Sequence, residues 1–177
     1  AWLSQRIEVD PTASSALAFN RAFVAALLDQ PQTVVDELHG VPRTDSGGFV
    51  GEQRATCDVL NGWARARLGD AQGVDDALAA MAEIDAGDER VLRSCLRTLI
   101  ADACIRLGDL RAPDLLEQAR REAEERGETW WLSETLRLAA LADVQLGDGA
   151  RAAGLLDEAA ELAALQGALL VVPRIEA

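Results

Sequence analysis

The sequence is poor in the residues from which most catalytic and metal sites are built. Its 177 residues include one histidine, no tyrosine and three cysteines. Cys57, Cys95 and Cys104 form no Cys-x-x-Cys pair, which indicates neither a disulfide framework nor a zinc site and favours reduced, buried thiols in the cytoplasm. No serine or cysteine lies in a nucleophile motif, so we predict a non-catalytic chain without a cofactor or metal. The one histidine, His39, precedes Gly40 at a predicted helix end, where capping or solvent exposure is expected.

Positive charge is also scarce. Lysine is absent, and 17 arginines against 30 acidic residues give a net charge of −13. Contact with a nucleic-acid backbone needs several phosphate-neutralising cations, and anionic membranes attract basic segments. We therefore predict no direct nucleic-acid contact and no membrane association.

Neither a basic leader nor eighteen successive apolar residues occur, so a signal peptide and a membrane span are not indicated. The start at Ala1, without methionine, suggests a piece of a longer protein.

One tripeptide, Leu-Gly-Asp, recurs with a spacing of 39 residues, at Leu68, Leu107 and Leu146. A leucine lies eight residues and an alanine four residues before each copy, which predicts one apolar stripe on a helix. The glycine suits a left-handed helix end, and the aspartate can accept hydrogen bonds from the first free amides of the next helix. Each unit is thus predicted to be helix, tight turn, helix, with both stripes in the core. The first stripes are Leu60, Ala64, Leu68; Leu99, Ala103, Leu107; and Leu138, Ala142, Leu146. The second are Val74, Leu78, Met81; Ala112, Leu116, Ala119; and Ala152, Leu156, Ala159.

The 39-residue period of the Leu-Gly-Asp tripeptide divides the chain into helix pairs. Units end at Gly87, Gly127 and Gly167, and a degenerate first unit turns at Asp29-Gln30-Pro31. The stretch from His39 to Gly51, rich in glycine and proline, predicts a long exposed loop. We predict one all-α domain over residues 1–177 with four helix pairs. The units are approximately 10–40, 50–87, 88–127 and 128–167, with the start of a further helix at 168–177.

Two resemblances rest on these motifs. The tripeptides, the small residues Gly62, Ala101 and Ala140, and the pattern Ala152-x-x-x-Leu156-x-x-Ala159 resemble the tetratricopeptide repeat, whose units are about 34 residues long. This resemblance implies a right-handed superhelix of antiparallel helix pairs. Where that repeat carries a tyrosine, this chain has Arg65, Cys104 and Asp143.

The segment from Arg126 to Trp131, with Glu134-x-Leu136-Arg137-Leu138 and the following Leu-Gly-Asp, resembles the C-terminal helical region of large bacterial regulators. Those proteins join an ATPase module to a LuxR-type or antibiotic-regulatory DNA-binding domain, or to a class III adenylate cyclase domain. The resemblance implies a sensing or scaffolding role in transcription or signalling. It implies no nucleotide contact here, because the segment 47–51 lacks the Gly-Lys-Ser/Thr ending of a P-loop. Of the tryptophan pair, one is expected to pack between repeats and the other to be half exposed.

The resemblance to tetratricopeptide repeats implies that the first helix of each pair lines a concave face, and repeat mapping then selects the residues on that face. The candidate binding residues are Trp63, Arg67, Asp102, Arg106, Arg137 and Gln145. Arginine forks beside a large aromatic ring suit an acidic peptide or an anionic or sugar-like effector. The alternative is that these arginines only pair with nearby acids such as Asp102.

The predicted function is therefore binding. The partner would be a protein or peptide segment, the ATPase module of the same chain, or a small effector, and binding would regulate the larger protein. A self-association module, with a possible homodimer, is the first alternative. An α-helical enzyme fragment is the second.

Overall fold

The fold is taken from a computed structural model, which describes residues 11–39, 41, 51–87, 91–168 and 171–175. These residues form an all-α structure, as predicted, and no strand occurs among them. Most of the predicted loop lies outside the described residues. The helices are α1 (Pro11–Leu27), α2 (Pro31–His39), α3 (Gly51–Arg67), α4 (Gln72–Ala86), α5 (Arg93–Leu107), α6 (Ala112–Arg126), a 3-10 helix (Thr129–Trp131), α7 (Leu132–Leu146), α8 (Gly149–Gln166) and α9 (Val172–Ile175).

The helices form successive hairpins, α1–α2, α3–α4, α5–α6 and α7–α8, and each helix packs against its partner. The first helix of each hairpin also contacts that of the next, from α1 to α3, α5 and α7. Helix α2 ends at His39, as predicted, whereas α3 already begins at Gly51, which the sequence had placed in the loop. The handedness of the stack stays a prediction.

The three Leu-Gly-Asp turns have the predicted geometry. Their glycines take left-handed φ values of 101°, 69° and 86° in chain order. Each aspartate carboxylate accepts a hydrogen bond from a backbone N–H at the start of the next helix, of Gln72 at 3.1 Å, Arg111 at 2.9 Å and Arg151 at 3.1 Å. In the degenerate first turn, Asp29 itself takes the left-handed conformation, with a φ of 60°. These local interactions set the reversal between the helices of each hairpin.

The apolar stripes pack as predicted except at one repeated position. Leu60 and Ala64 are fully buried, and the second stripes lie in or against the core. The tripeptide leucines Leu68, Leu107 and Leu146, however, are 51%, 39% and 60% exposed, so their assignment to the core was wrong. Ala66 and Cys104 in the same last turns are buried, so neighbouring elements cover a face of each turn on which these leucines do not lie.

The unit ends differ in how they satisfy the helix carbonyls. Gly127 and Gly167 cap α6 and α8 in the left-handed conformation, whereas Gly87 after α4 is extended, with a φ of −85°. At that end the buried guanidinium of Arg93 donates to the carbonyls of Ile84 and Gly87, at 2.8 and 3.0 Å. The Gly87 N–H also donates to the Ile84 carbonyl, at 3.2 Å, so a side chain supplements the backbone cap between the second and third hairpins.

The further helix predicted near the C-terminal end is the single turn α9, and residues 169–170 and 176–177 lie outside the described part. None of the described helices has the length and apolar character that crossing a membrane requires.

Candidate functional site

A cavity of about 250 Å³ lies where the first helices of the four hairpins meet. Each of these helices or the residues at its end contributes to the wall, and α9 closes one side. The lining residues are Ala26, Asp29, Trp63, Arg67, Thr98, Leu99, Asp102, Arg106, Trp131, Glu134, Arg137, Leu138 and Arg174. The wall therefore combines charged groups with an apolar surface.

Five of the six candidate binding residues line this cavity: Trp63, Arg67, Asp102, Arg106 and Arg137. The sixth, Gln145, does not, because its amide donates a hydrogen bond to the carbonyl of Ile105 at 3.1 Å. Repeat mapping had grouped these residues as candidates because equivalent positions on stacked helices share one face. Their role in binding stays a prediction.

Asp102 is the centre of the first charge cluster. Its Oδ2 accepts a hydrogen bond from Trp63 Nε1 at 3.0 Å and another from Arg67 Nη1. Arg67 also reaches Asp29, with Nη2 and Oδ1 2.6 Å apart, and its guanidinium lies 5.5 Å from the centroid of the buried Trp63 ring. Because Asp29 follows α1 while the other residues lie on α3 and α5, this cluster ties three hairpins together.

Glu134 is the centre of the second cluster and is 4% exposed. Arg137 donates to both of its carboxylate oxygens, at 2.8 and 2.9 Å, and Arg174 Nη1 lies 3.0 Å from Oε1. Arg174 Nη2 donates to the carbonyl of Leu27 at 2.9 Å. Burial opposes the charge on Arg137, but the hydrogen bonds to Glu134 and the attraction of Glu134, Asp102 and Asp29 together outweigh burial and raise the pKa of this guanidinium above its ordinary value. The cluster joins α7 and α9 to the end of α1.

Arg106 differs from the other arginines of the wall. Its side chain is 57% exposed, and its Nε lies 4.0 Å from Asp102 Oδ1, at the limit of an ion pair. With Arg106, the wall carries four guanidinium groups against three carboxylates, a formal charge of +1. The cavity is therefore slightly positive, while the chain as a whole carries −13.

Four charged or aromatic wall residues were missed as binding candidates: Asp29, Trp131, Glu134 and Arg174. Asp29 and Arg174 lie outside the three regular first helices, so repeat mapping could not reach them. Glu134 precedes Arg137 by three residues on α7, and this spacing for an ion pair was the signal that could have found it.

Trp131 is buried and Trp130 is 43% exposed, as expected for the pair. The indole N–H of Trp131 has no hydrogen-bond partner among the described residues.

The thiols lie apart from this cavity. Cys57, Cys95 and Cys104 form no disulfide with one another, and all three are buried, as predicted. Burial, reinforced by the charge of Asp109, raises the pKa of the Cys104 thiol to about 12. Because the thiolate is the reactive form, Cys104 is inert near neutral pH. Among the described residues, no group of three or more histidine, cysteine or acidic side chains is arranged to hold a metal ion.

Comparison with protein-family models, with curated proteins and with solved structures gives no match for this chain. The resemblance to tetratricopeptide repeats and to bacterial regulators therefore rests on the sequence motifs alone and stays a prediction.

Proposed function

We propose that this chain is a non-catalytic, effector-sensing module of a multidomain bacterial transcriptional or signalling regulator, and that the effector binds in the cavity. The observation that supports this proposal is that all four hairpins and α9 contribute side chains to one charged cavity. A tetratricopeptide-like right-handed stack would give such a cavity a natural position on its concave face.

Occupancy of this cavity is suited to regulation because the ligand would touch elements that are distant in the chain. A ligand shifts an equilibrium only by its difference in affinity for two states. One that contacts α1, α3, α5 and α7 together would favour the arrangement in which their side chains converge. We propose that this change is passed to the ATPase module of the same cytoplasmic protein.

The size of the cavity favours a small effector over a peptide segment. The volume of the cavity is about 250 Å³. Sites for drug-sized ligands span about 300–1,000 Å³. The ligand would therefore be a small metabolite, held by a few directed polar contacts.

A thermal-shift screen of a metabolite library on the purified chain tests this proposal. A ligand at 100 times its Kd stabilises the folded state by about 2.7 kcal/mol, which corresponds to roughly 5–10 °C in a chain of this size. The indole N–H signals of Trp63 and Trp131 should move in NMR spectra when a hit is added, while that of Trp130 should move less. Absence of any hit, or hits that perturb only Trp130, would count against the cavity as a sensor site.

Self-association is the second candidate, and a repeated apolar row favours it. Leu28, Leu68, Leu107 and Leu146 occupy equivalent positions at the ends of first helices, and their exposed fractions are 40%, 51%, 39% and 60%. Light scattering after gel filtration, over a wide concentration range, separates the two candidates. A constant mass near 18.9 kDa favours the sensing monomer. A stable dimer that Leu146→Ser dissociates would put self-association first.

A further inference from the structure

We propose that the effector is a small organic monoanion, a carboxylate on an apolar body, and that its charge is bound by Arg106. This inference rests on the proposed function, since it names the ligand class of the same cavity. It follows from how the charges of the wall are paired.

Three of the four arginines in the wall are engaged by the protein itself. Arg67 lies between Asp29 and Asp102, and both Arg137 and Arg174 bind Glu134. Breaking one of these pairs to bind a ligand would take a charged partner from Asp29, Asp102 or Glu134, and this is most unfavourable at Asp102 and Glu134, which are largely buried. These three guanidinium groups therefore shape the cavity and are poorly suited to hold the ligand.

Arg106 is the wall cation with the weakest partner among the described residues. Its Nε is 4.0 Å from Asp102, whereas Asp102 already accepts hydrogen bonds from Trp63 and Arg67. More than half of its side chain is exposed, so the guanidinium can turn toward a ligand at little cost. A planar guanidinium matches a carboxylate with two parallel hydrogen bonds.

The charge balance selects one negative charge rather than two. With four guanidinium groups and three carboxylates, the wall has a formal excess of +1, which a monoanion neutralises. A phosphate monoester, which carries close to two negative charges at neutral pH, would leave an excess charge beside Asp29, Asp102 and Glu134. These three side chains therefore disfavour dianionic ligands relative to ligands with a single carboxylate.

The rest of the wall suits an apolar body. Ala26, Leu99, Leu138 and Trp131 line the cavity beside the charged clusters, and all four side chains are otherwise buried. An apolar group placed against them would leave water without requiring a polar partner. The expected ligand therefore carries its charge at one end and an aliphatic or aromatic group at the other.

Titrations with matched small molecules test the ligand class. The probes are phenylacetate and benzoate, their uncharged amides phenylacetamide and benzamide, and phenyl phosphate as the dianion, each followed by the indole signals of Trp63 and Trp131. A charge-assisted hydrogen bond corresponds to about 10- to 100-fold in affinity, so the carboxylates should bind at least about 10-fold more tightly than the amides. Phenyl phosphate should bind more weakly than either carboxylate.

The chain offers a matched pair of variants for the role of Arg106. Arg121 on α6 is also exposed, at 61% against 57%, and each arginine lies near an acid four residues earlier, at 3.8 Å from Glu117 and 4.0 Å from Asp102. Arg106→Ala should weaken phenylacetate binding about 10- to 100-fold, whereas Arg121→Ala should leave it unchanged.

Three results would overturn the inference: amides that bind as tightly as carboxylates, phenyl phosphate that binds more tightly, or no binding by either carboxylate. If Arg106→Ala bound phenylacetate with unchanged affinity, Arg106 would not be the residue that binds the carboxylate. The proposed function is tested separately. If a metabolite of another class shifted the Trp63 signal, the effector-sensing function would stand and only the monoanionic ligand class would be excluded.

Discussion

Gly62 and Gly73 lie opposite each other where α3 packs on α4, and this contact allows a direct test of the packing. A Cβ atom added to Gly62 would lie 2.6 Å from the carbonyl oxygen of Gly73, 2.8 Å from Ala77 Cβ and 2.9 Å from Ala77 N. Non-bonded contacts of Cβ atoms below 3.0 Å essentially never occur in folded proteins. In Gly62→Ala, α3 and α4 must therefore move apart, and this displaces the neighbouring Trp63 of the cavity wall.

The size of the effect follows from two opposing terms. Overpacking a tight contact typically costs 1–3 kcal/mol, and the upper end, about 3 kcal/mol, applies here because backbone atoms form the obstacle. Alanine in place of glycine inside a helix returns about 1 kcal/mol. We therefore expect Gly62→Ala to lower the free energy of unfolding by about 2 kcal/mol, or the Tm by roughly 4–8 °C.

Gly154→Ala is the matched control, because Gly154 lies inside α8 and an added Cβ would meet nothing within 4 Å. This variant should gain about 1 kcal/mol from helix propensity alone. Urea unfolding followed by far-UV circular dichroism measures both changes on the same scale. If Gly62→Ala proved as stable as Gly154→Ala, the close contact between α3 and α4 would be refuted.

Three further predictions concern the turns, the buried charge and the thiols. Asp148→Ala should lower the free energy of unfolding by about 1 kcal/mol in urea titrations, because the N–H of Arg151 loses its acceptor, and Asp148→Ser should restore most of it. Glu134→Gln should cost about 3 kcal/mol by the same measurement, since two guanidinium groups lose a buried partner, and an unchanged stability would contradict this. Burial raises the pKa of Cys104 from 9.0 to about 12, so the unfolded chain loses this proton first. Stability should therefore be full below pH 9 and fall as the pH rises toward 12, more steeply in the native chain than in Cys104→Ala.

The sequence alone determined the features that depend on contacts between near neighbours in the chain. The helix class follows from the apolar period, and the turns follow from Leu-Gly-Asp, because the glycine conformation and the aspartate hydrogen bond each involve only a few residues. Five of the six candidate binding residues, from Trp63 to Arg137, line the cavity. Their choice combined the repeat period, which puts equivalent positions on one face, with the resemblance to tetratricopeptide repeats, which implies that the first helix of each pair lines the concave surface.

Tertiary structure alone decided which of those charges are paired and what completes the cavity. Arg174 reaches the carbonyl of Leu27 across 147 residues, and Arg67 joins Asp29 to Asp102 across three helices. No periodicity could show these contacts, since they depend on how the hairpins stack. The same limit explains Leu68, whose place in the apolar stripe predicted burial although it is 51% exposed, because the packing of the hairpins decides which face of a helix end is covered. Local patterns specify the helices and turns, while the stacking of the hairpins decides which charged side chains meet in the cavity and which of them are paired.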